Sequence, residues 1–296
     1  MKGKNAILAS LIISLVPLFL PGCKFDSSKT SPRSPQVFLI TEFPIYEPYV
    51  AEICGQILSI QPEVRIQDLI RTSSQNSLSQ NAVILDQIAY NLPQGSIILA
   101  ILNTAIRAEH PPLLVKTKKN KFYIVPDNSL ITLVLEREGL EQAWRLNVTE
   151  HHAQQISNTY PYREIYASVT GKLASGIPPE KLGTPTRDIS KKHIERPSSI
   201  AQTITAKILH IDSYGNLITN VPKDFSPILI QDSMLRVDIG KKSISAPLVK
   251  DYRDVPVGRF ALVFNNQNLL ELTVHQGSAA SEFKNITPGT TITILP

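Results

Sequence analysis

Sulfur is scarce in this chain of 296 residues: Cys23 and Cys54 are its two cysteines, Met1 and Met234 its two methionines. Two thiols cannot make a disulfide framework, so the fold must rest on a buried core. A hydrophobic content of 42% can supply one, over a length suited to about two domains. No glycine-rich phosphate loop, no H-E-x-x-H and no paired C-x-x-C occurs, which removes P-loop nucleotide hydrolysis and the common zinc sites. His151 and His152 adjoin each other in a polar stretch without further ligand spacing and read as surface residues; no metal is expected. The formal charge of +5 is too small an excess to argue for a nucleic-acid partner. The lysines between Lys116 and Lys121 flank Asn120 and suit a solvated hairpin turn. No internal repeat is evident.

The one long apolar run, Ala6 to Leu20, follows Lys2 and Lys4 and precedes Leu-Pro-Gly-Cys. That order is basic, hydrophobic, then small, as in a bacterial secretion signal. The run is shorter than the roughly 20 residues a membrane-spanning helix needs. Residues 1–22 are therefore read as a signal peptide, with an uncleaved anchor as the alternative. Leu20, Gly22 and Cys23 resemble a lipobox, Pro21 being an unusual occupant, and Cys23 is the expected lipidation site. Residues 23–36 are rich in Ser, Pro and Lys and read as a flexible tether. These features predict an exported protein, lipid-anchored to a membrane of the bacterial cell envelope. Acylation of Cys23 would leave Cys54 alone, in an apolar helical stripe that suits an inert thiol.

From residue 37 the pattern alternates. Strand-like VFLIT precedes Val50, Ile53, Cys54, Ile57 and Leu58 at one-face helical spacing; VRIQDL precedes a second helical pattern through Ala82, Leu85, Ile88 and Ala89; SIILAIL at 96–102 is continuously apolar. Such alternation predicts an α/β domain over 37–190 with a largely parallel, helix-covered sheet, and the unbroken run a strand buried on both faces. Ligands of these sheets bind beyond the carboxyl ends of strands, where Glu42 and Asn103 lie. Residues 177–199 turn rich in Pro, Lys and Ser. Beyond them short strand-like pieces such as TITAKILHI, LRVDIG and LLELTV predict a smaller antiparallel β barrel or sandwich over 200–296.

The run HIDSYGNLITN, 210–220, sets a carboxylate, a tight-turn glycine and an amide between two strand-like segments. Asp212 and Asn216 become neighbours across the turn. A carboxylate only accepts hydrogen bonds and a carboxamide both donates and accepts, so the pair suits an ammonium group and a purine edge. A hairpin turn without a ligand is the alternative, Asp, Gly and Asn being common turn residues. PDN at 126–128 reads as a turn and N-cap ahead of the apolar segment Leu130 to Leu135.

Further segments are TEFPIYEPYV (41–50), LPQGSIILAILN (92–103), PPLLV (111–115), VPDNSL (125–130), SNTYPYRE (157–164) and NNQNLLELTVHQGSAA (265–280). With residues 210–220 they resemble, in order, the landmarks of the S-adenosylmethionine (SAM) hydroxide adenosyltransferase family, relatives of SAM-dependent fluorinases and chlorinases. The resemblance covers about residues 36–296. It implies a homotrimer with sites between subunits, and displacement of methionine from C5′ of SAM by a water-derived nucleophile, assisted by an Asp, an Arg and a His. Those three positions fall on Asn103, His110 and Pro161. Asn and Pro handle no proton at neutral pH, and His110 alone retains that capacity.

The resemblance also implies that Glu42 meets the ribose hydroxyls, Asp212 the methionine amino group and Asn216 the adenine. Gly277, Ser278, Ala279 and Ala280 would offer backbone to the adenine, a helix start being the alternative, and Asn265 opens the altered loop at the methionine end. The expectation is a catalytically degenerate, exported binder of SAM, adenosine or a related nucleoside, needing no cofactor. The alternatives are a diverged SAM hydrolase using His110, and a structural envelope protein without a ligand. Between Asn103 and Pro126 there is no room for the insertion of fluorinases.

Overall fold

The computed structural model describes residues 35–71, 77–103, 111–147, 162–191 and 196–296. Cys23, His110, His151, His152 and Pro161 lie outside these residues.

Apolar runs at the predicted positions build the first sheet. Its elements are β1 (Gln36–Thr41), α1 (Tyr49–Ile60), β2 (Arg65–Arg71), α2 (Leu78–Asn91), β3 (Ile97–Ile101), β4 (Pro112–Thr117), β5 (Phe122–Pro126), α3 (Thr132–Glu138), β6 (Leu140–Leu146), α4 (Ser168–Ala174) and β7 (Gly183–Thr186). The strand order is β2-β1-β3-β5-β4-β6-β7. Its first four strands are mutually parallel, and the rest pair antiparallel from the β4–β5 hairpin onward. All five residues of β3 are buried, as a run flanked on both faces by helices requires. Ser77 starts α2 with a capping box: its Oγ accepts from Gln80 N–H, and Gln80 Oε1 accepts from Ser77 N–H.

The second sheet contains β8 (Ser198–Ile200), β9 (Thr203–Ile211), β10 (Leu217–Pro222), β11 (Met234–Ile239), β12 (Lys242–Pro247), β13 (Phe260–Phe264), β14 (Leu269–Val274) and β15 (Thr291–Leu295). It is antiparallel in the order β12-β11-β15-β9-β10-β14-β13, with β8 added on β9. A bridge from Leu248 to Leu262 brings its two ends together, so the sheet is nearly closed and barrel-like. Alternate residues such as Ile204, Ala206 and Ile208 fill its interior with Leu217, Leu262, Leu270 and Leu272. Both sheets belong to one compact unit, Ser34–Pro296.

Two expectations need correction, and the connection between the sheets holds strands that its composition did not announce. Lys121 is not part of a solvated turn: it is 5% exposed, and its ammonium donates to Glu138 (3.0 Å) and to the Ala89 carbonyl. Only Lys118 and Lys119 point to solvent at the tip, where Asn120 takes φ 54°. Asn128 is not the N-cap of α3, which begins at Thr132 after Ile131 without a side-chain cap. The connection at 177–199 contains β7 and two residues of β8. Gly183 permits the first of these, because a Cβ there would stand 2.5 Å from the Arg145 carbonyl oxygen on β6.

Candidate functional site

The predicted residues fall into two groups. The first stands at the carboxyl ends of β1 and β3, which pair in parallel and so finish side by side. Glu42 Oε2 accepts from the Asn103 backbone N–H at 2.8 Å, and Glu42 N–H donates to the Ile101 carbonyl. Asn103 takes a left-handed backbone (φ 52°), which Asn tolerates better than most residues. Its side-chain oxygen accepts from the amide of Asn81, a buried residue of α2. Asn128, also buried, donates to the carbonyls of Leu102 and Asn103 at 3.2 Å each. Asn81 and Asn128 thus fix this strand end. Nothing in the sequence pointed to Asn81, and Asn128 was marked there only as part of a turn and N-cap.

The second group surrounds the β9–β10 turn. Asp212 Oδ1 accepts from the N–H groups of Tyr214 and Asn216, and its Oδ2 accepts from Asn216 Nδ2, each at 2.9 Å. Asn216 Oδ1 accepts from the Thr273 hydroxyl at 2.6 Å. The turn is therefore an Asx-type turn, and the pair retains a carboxylate lone pair and an amide hydrogen for a ligand. Gly215 (φ 83°) packs so closely against the 277–280 loop that a Cβ there would lie 2.0 Å from Ser278 Oγ. The Gly215 carbonyl accepts from Ala280 N–H at 2.8 Å. Ser278 Oγ accepts from Ser281 N–H, and Ala279 is fully buried, so both hold the loop in shape.

Two clefts meet at Asp212 and Tyr252. One, of 680 Å³, is lined by Asn216, Tyr214, Thr273, Val274, Gln276 and Gly277. The other, of 460 Å³, is lined by His210, Glu271, Asn265, Gln267 and Gln87 of α2, among others. Asn265 Oδ1 accepts from the N–H groups of Gln267 and Leu269, so this side chain shapes the turn it begins. Burial raises the Glu271 carboxyl above its ordinary range, with the Asp212 charge adding to it and a hydrogen bond from Asn265 opposing. Burial holds His210 below the usual imidazole range against the pull of Asp212, and its Nδ1 is enclosed without a partner. Tyr252, half exposed, was missed in the sequence; an aromatic beside an Asp-containing turn is visible only once β13 and its preceding loop are placed. Glu42 and Asn103 line neither cleft.

Among the described residues no group of three or more His, Cys, Asp or Glu side chains could hold a metal ion. Nor is any described helix long and apolar enough to cross a membrane. Cys54 is half-buried in α1, and burial and Asp68 raise its thiol, which disfavours the reactive thiolate.

A mixed α/β sheet followed by a barrel-like sheet, with polar residues at the strand ends and around the Asp212 turn, defines the class. Residues 37–183 match the SAM hydroxide adenosyltransferase N-terminal domain and 206–293 the C-terminal domain. The chain belongs to the SAM hydroxide adenosyltransferase family. It is 26% identical to an (R)-S-adenosyl-L-methionine hydrolase of Methanocaldococcus jannaschii, over 82% of this chain and 90% of that one. To a fluorinase of Nocardia brasiliensis it is 23% identical, over 90% and 98%. An uncharacterized conserved protein from Thermotoga maritima shares the fold with a TM-score of 0.82 at 24% identity, covering 88% of this chain and all of that one.

Proposed function

We propose that this chain is a nucleoside-binding member of its family, taking adenosine, SAM or a related compound, in which hydrolysis has been lost. The observation that carries the reading is Asn103. Where the family resemblance places an acid, the structure has an amide that receives a hydrogen bond from Asn81 and meets Glu42 through its backbone. An amide accepts no proton at neutral pH, and general-base assistance is worth a factor of about 10² to 10⁴ in rate. The hydrogen-bonding groups of Asp212 and Asn216, by contrast, still open into clefts large enough for a nucleoside. Tyr252 adds an aromatic face between those clefts. The proposal extends to export through the N-terminal signal, lipid anchoring at Cys23, residence in the cell envelope, and a homotrimer in which the Glu42 and Asp212 groups complete one site between subunits.

A second reading draws on the relatives, among them four named (R)-S-adenosyl-L-methionine hydrolase at 21% to 26% identity: residual hydrolysis with His110 as the base. One incubation separates the two. SAM held with the purified chain is resolved by chromatography, beside the His110→Ala variant. Binding without loss expects no adenosine above the protein-free blank in either sample. Multiple turnovers by the chain that disappear in His110→Ala would establish the hydrolase instead.

A further inference from the structure

Strand β9 carries one residue more than its partner. Its pairing steps from His210 opposite Ile218 to Ile208 opposite Thr219, so Leu209 is the extra residue of a β-bulge. Ile208 and Ile211 both pack on the barrel core, which leaves Leu209 and His210 adjacent on the outside. There the two diverge. His210 lines the 460 Å³ cleft beside Asp212, whereas Leu209 lines a separate cleft of 550 Å³ that Asp212 does not reach. Leu270 and Val221 fill the barrel interior, so their neighbours Leu269 and Pro222 face outward and join Leu209 in this wall, with Phe225 beyond them. Opposite stand Val83 of α2 and Leu133 of α3. The cleft thus runs between the helices of the first sheet and the strands of the second, within one compact unit.

Leu133, Leu209, Phe225 and Leu269 are each half-buried, so an apolar lining is left partly wetted between two packed layers. Removing such surface from water is favourable by about 25 cal/mol per Å². The charged side chains at the edge are already matched. Arg137 holds the Asp86 carboxylate at 2.7 Å and donates to the Asp86 carbonyl at 2.8 Å, and Arg196 stands 3.7 Å from Glu136. Even so, burial raises the Asp86 carboxyl above its ordinary range, which marks that end as shielded from water. A charged ligand would have to displace one of these pairs or sit unpaired beside it, whereas an uncharged one leaves both intact. Gln87 and Asn220 are the uncharged polar side chains of the lining, and an amide both donates and accepts.

We infer that the 550 Å³ cleft is a ligand site separate from the clefts around Asp212, and that it takes an uncharged, predominantly apolar small molecule carrying a hydrogen-bonding group. Its volume lies in the range of sites that enclose drug-sized molecules. An occupant touches α2, α3, β9, β10 and β14 at once and so ties the two sheets together. Gln87 lines this cleft and the 460 Å³ one, which makes the two sites neighbours with a shared wall. The assignment does not depend on the nucleoside reading.

Fluorescence titration of the purified full-length chain with N-phenylnaphthylamine tests the inference, beside anilinonaphthalenesulfonate, the same ring skeleton with a sulfonate added. The uncharged dye is expected to saturate and to bind about tenfold or more tightly than the sulfonate. Leu133→Trp and Leu269→Trp place an indole in the cleft from opposite walls, and each is expected to weaken the uncharged dye about tenfold or more. Saturating adenosine is expected to leave the dye in place. No saturable binding, or a sulfonate bound as tightly as the uncharged dye, would overturn the inference. Binding undiminished in every tryptophan variant that keeps a normal melting profile would put the dye elsewhere, as on the apolar run Ala6 to Leu20, and overturn it too. Displacement by adenosine would place the dye around Asp212, with the same result. If neither variant folds, the ratio of the two dyes decides. Should adenosine fail to bind at all, the nucleoside reading falls and this one stands.

Discussion

Gly215 shows how single residues constrain the Asp212 turn. Its φ of 83° suits glycine, and the Ser278 side chain occupies the volume a Cβ would need. Gly215→Ala should destabilise the chain by about 1 to 3 kcal/mol, from a strained φ together with the clash. Replacing Ser278 by glycine in the same chain removes the clash and leaves the φ penalty, so the double variant should recover part of the loss. Urea denaturation of the three proteins measures the coupling; strict additivity would show that the two residues do not press on each other. The composition of this turn was legible in the sequence because Asp, Gly and Asn have few other reasons to stand together. Its tight packing on residues 277–280 was not, since 62 positions separate Gly215 from Gly277 and only the strand order joins them.

At the scale of elements, the hairpin of β4 and β5 is locked to α2 and α3 by a buried polar network. Lys121 and Glu138 pair at 3.0 Å with side chains 6% and 2% exposed, and Glu138 Oε2 also accepts from the Thr117 and Tyr123 hydroxyls. Burial, followed by the charge of Glu138, raises the Tyr123 phenol far above its ordinary range. Lys121→Met leaves Glu138 charged with only the longer ion pair to Arg137, at 3.8 Å, and should cost about 3 kcal/mol. Adding Glu138→Leu should return much of that, because two apolar groups need no partner. Thermal unfolding of both variants decides the matter, and a single variant as stable as wild type would contradict the network's role. The sequence showed the hairpin through its apolar flanks and Asn120. It hid the fate of Lys121, because a lysine one residue past a turn carries no mark of burial. Strands with regular apolar patterns were likewise visible, whereas short β7 and β8 were masked by the prolines and serines around them.

For the molecule as a whole, the family landmarks run through both sheets, and that made the architecture readable from residues 37 to 296. The resemblance implied sites shared between subunits, but the residues on each side of that division emerge only from the strand order. Glu42 and Asn103 close the parallel half of the first sheet, whereas Asp212, Asn216, Glu271 and Tyr252 ring two clefts on the second. The proposed trimer would bring the halves of different subunits together. On the proposed reading, the clefts around Asp212 bind a nucleoside although Asn103 stands where the family resemblance places an acid. A calorimetric titration of adenosine into the purified full-length chain at neutral pH tests it most directly. The prediction is saturable binding at one site per chain with a Kd of about 1 mM or tighter. Heats that show no saturation up to about 10 mM adenosine would contradict it.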